Sequence, residues 1–428
     1  MYSKTLRSIF EKKGISIGDY IKISWKSKEY QGILMPRPLG DTNSIVLKLD
    51  NGYNVGIRYR SGMRIELISK LKKPKKRKLK MRKDPDKPNV VILGAGGTIA
   101  SRVDYRTGAV KPSFTAEELI EFNPELGEIA NIDGRELFQL LSENMTPEHW
   151  QKIAREVEKE IRKGVDGIVI MHGTDTMGYT AAALSFMLED LPVPVVLVGS
   201  QRSSDRGSSD SHMNLACAVK AATSDIAEVM VCMHGESSDT YCYLHRGTKA
   251  RKMHTSARYA FRTVNTEPIA KVHWEGLRIE ILSDYRRKDK SRKLKLLDRM
   301  EKRVSLVKIY PGMNMELLKE VCKRSKGIII EGTGLGHVPV NAIKILKRFI
   351  SEGGYVFMTS QCLYGRVNMN VYETGRDLLQ IGVMGNYTDM LPETALVKMM
   401  WVLGNHKKNV KEMMERNLRG EITDRSVF

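Results

Sequence analysis

The chain has 428 residues, 41% of them hydrophobic and 28% charged, and 70 Lys and Arg outnumber 50 Asp and Glu for a net charge of +20. That length is ample for two or three cores, and the composition is that of a globular protein rather than a disordered or fibrous one. No apolar run approaches a membrane span and Met1 to Arg7 lacks a signal-peptide core, so a cytoplasmic chain with no membrane contact is expected.

The excess of bases suits a surface that meets a polyanion, because Lys and Arg supply non-specific affinity and faster encounter. A lysine-rich thermophile surface is the competing explanation. The five cysteines, Cys217, Cys232, Cys242, Cys322 and Cys362, are odd in number and lack metal-ligand spacing, so reduced thiols are expected, with neither zinc nor a disulfide.

In chain order, residues 1–69 form the first unit, of which Gly18 to Ile68 reads as a small β module. Tyr20 to Lys26 alternates apolar and polar residues, Tyr30 to Met35 runs to a proline, and Asn51-Gly52 between Ile45 and Ile57 marks a hairpin. An SH3-like or similar small barrel is the economical reading. Residues 70–88 are mostly basic and end in prolines, which predicts an extended linker, either solvated or gripping phosphates.

Residues 89–285 alternate apolar strands (Val90 to Leu93, Ile168 to Met171, Val195 to Val198, Val229 to Met233) with amphipathic stretches at Glu148 to Ile161 and Thr180 to Glu189. This predicts a doubly wound α/β unit. A charged stretch, Asp284 to Arg303, leads to a smaller α/β unit, residues 286–428 including the linker. Its strands are expected at Val304 to Ile309, Gly327 to Ile330 and Tyr355 to Thr359, with a helix from Val340 to Ser351.

Two Gly-Thr elements stand out in the large unit. Val90 to Ala100 ends in Gly96-Gly97-Thr98, and Gly167 to Thr176 carries His172-Gly173-Thr174-Asp175. Each is an apolar run, read as a buried parallel strand, that stops at small residues and delivers a hydroxyl at its carboxyl end, where open α/β sheets keep their sites. Alone, Gly-Gly-Thr fits a turn, a helix N-cap or a phosphate cradle equally well. A threonine that attacks an amide needs a base and oxyanion donors.

Together the two motifs, in this order and spacing, resemble the signatures of the L-asparaginase and glutaminase amidohydrolases, from about Pro88 to the end of the chain. The resemblance implies a large and a small α/β domain and a catalytic set of Thr98, Thr174, Asp175 and Lys252. Thr98 is the preferred covalent nucleophile, with Thr174, Lys252 and Asp175 handling protons; which threonine attacks is left open. Lys252 falls where the family keeps its catalytic lysine, and Arg251 beside it would lower its pKa. Ser142 and Glu143 resemble the family's substrate-gripping turn, Ser142 for the α-carboxylate and Glu143, with Asp175, for the α-ammonium of the donor. A helix N-cap is the alternative for Ser142, with Thr146 competing for that job.

In that family a loop tyrosine after the first threonine helps activate it. Here Tyr105 is displaced and Ala109 takes the expected place, which predicts a site that a partner completes or orders; the alternative is that Tyr105 reaches the site after a loop shift. The loop Glu331 to His337 lacks the Lys-Ser/Thr ending of a P-loop. The resemblance implies that His337 contacts substrate across a dimer, and a structural turn is the alternative. Gly199 to Asp210 is expected to wall the crevice.

The front unit, absent from ordinary asparaginases, points to the branch of the family that serves as the D subunit of archaeal glutamyl-tRNA(Gln) amidotransferases. That implies a glutaminase working with a GatE-like tRNA-binding subunit, Glu-tRNA(Gln) reached through the complex, and a homodimer within a heterotetramer. No cofactor is expected in this chain, and ATP and Mg2+ are expected on the partner. The alternatives are a freestanding L-asparaginase with an appended barrel and a catalytically dead RNA-binding scaffold.

Overall fold

A computed structural model describes residues 2–36, 41–50, 54–70, 83–97, 101–103, 110–112, 119–120, 123–202 and 209–426. The front unit opens with a helix, Lys4–Lys12, that the β reading of Gly18 to Ile68 does not include. The Ser3 side chain caps it by accepting the Leu6 N–H, and Leu6 and Phe10, on one helical face, are buried. They pack with Ile21, Ile23, Ile45 and Leu47 of an antiparallel sheet. Its strands are β1 (Tyr20–Trp25), β2 (Lys28–Leu34), β3 (Ser44–Lys48), β4 (Asn54–Arg58) and β5 (Arg64–Ser69), ordered β4-β3-β2-β1-β5. Lys48 pairs with Asn54, so the chain reverses where Asn51-Gly52 predicts it, although residues 51–53 lie outside the described ones. Most of the basic linker, residues 71–82, also lies outside them.

The large unit is built on an eight-stranded sheet. Five strands run parallel: β6 (Asn89–Gly94), β7 (Asn131–Glu136), β8 (Gly167–Met171), β9 (Val195–Val198) and β10 (Val229–His234), in the order β7-β6-β8-β9-β10. Three antiparallel strands, β11 (Tyr241–Arg246), β12 (Ala270–His273) and β13 (Ile279–Ile281), extend the β10 side. The central strands β6, β8, β9 and β10 are largely apolar because both faces are covered, whereas β7 at the edge is mostly polar. Ile168 and Ile170 of β8 enter one core with helices Pro147–Arg162 and Met177–Met187, whereas Val169 and Met171 enter the other with helix Ser211–Ala222.

The stretch predicted to be amphipathic from Thr180 to Glu189 is otherwise. The helix starts at Met177, and every residue from Thr180 to Met187 is buried. The reason is tertiary: helix Pro392–Asn405, from the end of the chain, covers its outer side, and the Phe186 and Trp401 rings stack 5.6 Å apart. Strands β14 (Val304–Lys308), β15 (Gly327–Gly332) and β16 (Tyr355–Ser360) make the small parallel sheet, and Val304, Ile329 and Phe357 join that same core. The two α/β units therefore share one apolar interior.

The charged stretch before the small unit is pinned down. Lys290 pairs with Asp166 at 2.6 Å and Arg286 with Asp190 at 2.9 Å, while Lys295-Leu296 forms a two-residue ladder with Leu188-Glu189. No helix among the described residues is long and apolar enough to cross a membrane.

Candidate active site

The carboxyl ends of β6 and β8 meet. Gly97, just before Thr98, has φ +88°, and a Cβ placed on it would lie 2.6 Å from the Gly173 nitrogen. Only glycine fits a left-handed backbone against another main chain. Gly173 is equally confined, since a Cβ there would lie 2.7 Å from the Ser142 Cβ. Gly199, after β9, presses on Thr174, its Cβ position 2.8 Å from Thr174 Cγ2. The small residues thus let three loops converge on Thr174.

The hairpin Ala250–Lys252 and Phe261–Thr263 brings in the lysine. Lys252 Nζ donates to Thr174 Oγ1 at 2.9 Å and to Asp175 Oδ1 at 2.8 Å. Its side chain is only 14% exposed, while that of Asp175 is 67% exposed. Because the lysine donates to the Thr174 oxygen, the Thr174 hydroxyl proton is left for another acceptor. Arg251 does not press on Lys252. Neighbouring residues on a strand point to opposite sides, and Arg251 reaches Glu393 at 3.3 Å.

Ser142 is buried in the short 3-10 turn Ser142–Asn144, and its carbonyl accepts the Thr176 hydroxyl at 2.8 Å. It caps no helix. Thr146 does that for Pro147–Arg162 in a reciprocal capping box with His149. Glu143 beside it is exposed. Thr98, Tyr105 and Ala109 lie outside the described residues; the backbones of Ser101–Val103 and Val110–Pro112 pair as a hairpin around Tyr105 and Ala109.

His337 lies elsewhere. Its contacts are Thr374, 3.3 Å from Nδ1, and the Tyr372 ring, both in the small unit, so within this chain it does not join the threonines. Of the loop expected to wall the crevice, residues 203–208 lie outside the described ones, but Asp210 holds its start by accepting the Gln201 and Arg202 N–H groups. All five thiols are free, with Cys217, Cys232 and Cys242 in the core.

One contributor is absent from the sequence reading. Fully buried His172 sits beneath Gly173: Trp150 Nε1 donates to Thr180 Oγ1 at 3.0 Å, and Thr180 is 2.9 Å from His172 Nε2. The Nδ1–H must then donate to the Gly173 carbonyl, at 2.7 Å, since a carbonyl only accepts. Burial pulls the His172 pKa down to about 4, so the ring is neutral and fixes the peptide that presents Thr174. Its place in the His-Gly-Thr-Asp motif was the available signal; Trp150 and Thr180 offered none.

Residues 89–285 match the family described as Asparaginase, N-terminal, and residues 303–415 the Glutaminase/Asparaginase C-terminal domain. The thermostable L-asparaginase from Thermococcus kodakarensis superposes with a TM-score of 0.70 at 32% identity, covering 78% of this chain and 99% of that one. L-asparaginase I from Vibrio cholerae gives 0.68 at 32% identity, over 79% and 99%. Fold and site thus define an asparaginase-type α/β protein.

Residues 15–68 match the GatD N-terminal domain. The glutamyl-tRNA(Gln) amidotransferase D subunit of Pyrococcus furiosus is 55% identical over 98% of this chain and 97% of its own. The same-named protein of Methanothermobacter thermautotrophicus is 51% identical over 99% and 98%. The chain belongs to the family of glutamyl-tRNA(Gln) amidotransferase D subunits.

Proposed function

We propose that this chain is the glutamine-hydrolysing subunit of a tRNA-dependent amidotransferase, releasing glutamate and passing ammonia to a partner that converts Glu-tRNA(Gln) to Gln-tRNA(Gln). The observation that carries the reading is the lysine bridge: Lys252 Nζ lies within hydrogen-bond distance of both Thr174 Oγ1 and Asp175 Oδ1. Family membership supports it, and the front unit counts against a freestanding asparaginase.

In this reading Thr98 Oγ attacks the side-chain carbonyl carbon of glutamine. Its proton passes through Thr174 and Lys252 to the departing nitrogen, the C–N bond breaks, and ammonia leaves an acyl-enzyme ester. Water then attacks the ester, freeing glutamate and restoring the Thr98 hydroxyl. Asp175 orients Lys252 and, with Glu143, receives the α-ammonium, while Ser142 receives the α-carboxylate. His337 reaches the site of a second copy in a homodimer within a heterotetramer. The second subunit is GatE-like, cytoplasmic as this chain is, and holds the tRNA together with the ATP and Mg2+ that activate its glutamate.

The test is Thr98→Ala in the assembled complex. Glutamine-driven amidation is expected to fall on the order of a thousandfold or more while amidation driven by free ammonia survives. Ammonia release from glutamine at the parental rate would remove Thr98 from the mechanism.

A further inference from the structure

We infer that Lys249, Asn265 and Asp389 are positioning residues for Lys252, locking the hairpin that carries it onto the small unit. This rests on the reading of Lys252 as a proton-handling group. The base of the hairpin closes where the Val264 N–H meets the Lys249 carbonyl at 3.1 Å. Both legs are then tied to residues a hundred or more positions away. Lys249, wholly buried, pairs with the buried Asp389 carboxylate at 2.8 Å. Asn265, with φ +64°, donates to the Asp389 carbonyl at 3.2 Å and accepts the Gly365 N–H at 2.9 Å.

Asp389 has further partners. The Thr423 N–H reaches its second oxygen at 2.9 Å and the Thr423 hydroxyl also donates to the carboxylate, so the C-terminal segment seals the lock. Arg251 adds a third tie, to Glu393 in the first turn of helix Pro392–Asn405. On the strand Ala250–Lys252, then, Arg251 and the preceding Lys249 grip the small unit while Lys252 faces Thr174 of the large one. A buried ion pair whose remaining lone pairs are satisfied is a specific connector, and a misplacement near 1 Å at a reacting group costs as much as roughly a hundredfold in rate.

The decisive variant is Asn265→Gly, because glycine adopts φ +64° freely and only the amide bonds are lost. In the assembled complex kcat for glutamine is expected to fall roughly ten- to a hundredfold, with KM within about twofold. Amide hydrogen exchange in Ala250–Lys252 and Phe261–Thr263 should quicken at least about tenfold while β8 keeps its protection. Asn265→Asp, which keeps the acceptor for the Gly365 N–H but replaces the donor to the Asp389 and Gly365 carbonyls with a carboxylate oxygen, should lose kcat at least as far as Asn265→Gly. The inference is overturned if Asn265→Gly leaves either kcat or hairpin exchange at the parental value. If the parental complex does not hydrolyse glutamine, the glutaminase reading fails, and hairpin exchange alone decides whether the lock exists.

Discussion

The side chain on which the proposed chemistry turns is Lys252, held between a threonine oxygen and a carboxylate on one side of a short hairpin. Lys252→Met keeps most of the partly buried stem and removes the ammonium, so the fold should persist while glutamine turnover falls on the order of a thousandfold. Thr174→Val should do the same, and initial-rate ammonia assays on the folded variants would check both. His172 gives a different readout. Its pKa is about 4 in the folded chain against 6.5 when exposed, so the unfolded state binds the extra proton between those values. The stability that this neutral ring provides is present in full above pH 6.5 and declines as pH falls towards 4. The loss amounts to about 3 kcal/mol by the lower limit. His245, drawn down to about 3 by the same burial, adds a second contribution. Denaturant melts between pH 7 and pH 4.5 should therefore show a steeper decline in the parent than in His172→Gln, and equal slopes would count against the buried-neutral assignment.

Glycines decide how the strand ends and loops meet. Gly97→Ala forces a side chain into a left-handed backbone and into the Gly173 main chain, so it should cost stability and shift the chain that leads into Thr98, with glutamine turnover down at least about a hundredfold. Gly164→Ala is the matched control: its φ is +87°, but nothing lies within 4 Å of the added carbon. It should show only the backbone penalty, about 1–3 kcal/mol in melts, with activity intact. Four of the five parallel strands of the large unit, β6, β8, β9 and β10, were legible because a strand buried on both faces is written as an uninterrupted apolar run; β7, Asn131–Glu136, carries no such run and was not read. Legibility is weaker where burial is tertiary. Helix Met177–Met187 reads as amphipathic because nothing near it in sequence announces the helix from residues 392–405 that covers it. Helix Lys4–Lys12 does carry a local signal, with Ser3 as cap and Leu6, Ile9 and Phe10 at helical spacing, but it is short beside the stronger strand pattern that follows. Asn265 could not be read at all, since its partners Gly365 and Asp389 lie far along the chain. For the site, Thr174, Asp175, Lys252 and Ser142 were named from motifs and meet in space, whereas His337 stays in the small unit.

The two α/β units behave as one body around Phe186 and Trp401, and their junction is also where the Lys252 hairpin is tied. A front unit matching the GatD N-terminal domain and a net charge of +20 complete a chain suited to work beside a polyanion. By sequence, Ala109 is expected where related enzymes keep an activating tyrosine, and this adds an expectation of control, because a loop lacking that hydroxyl would need ordering that binding can supply. Unregulated hydrolysis would waste glutamine, so turnover should depend on the complex and weaken as salt screens the tRNA phosphates. Asparagine and glutamine differ by one methylene, a distinction of about 1–3 kcal/mol in an apolar pocket, so donor choice must be measured. The most direct measurement is ammonia release from glutamine and from asparagine by this chain alone, with its partner, and with partner plus Glu-tRNA(Gln). Slow release by the chain alone is expected, with a rise in glutamine turnover when partner and Glu-tRNA(Gln) are both present. Equal turnover by the isolated chain, with asparagine preferred, would contradict that expectation.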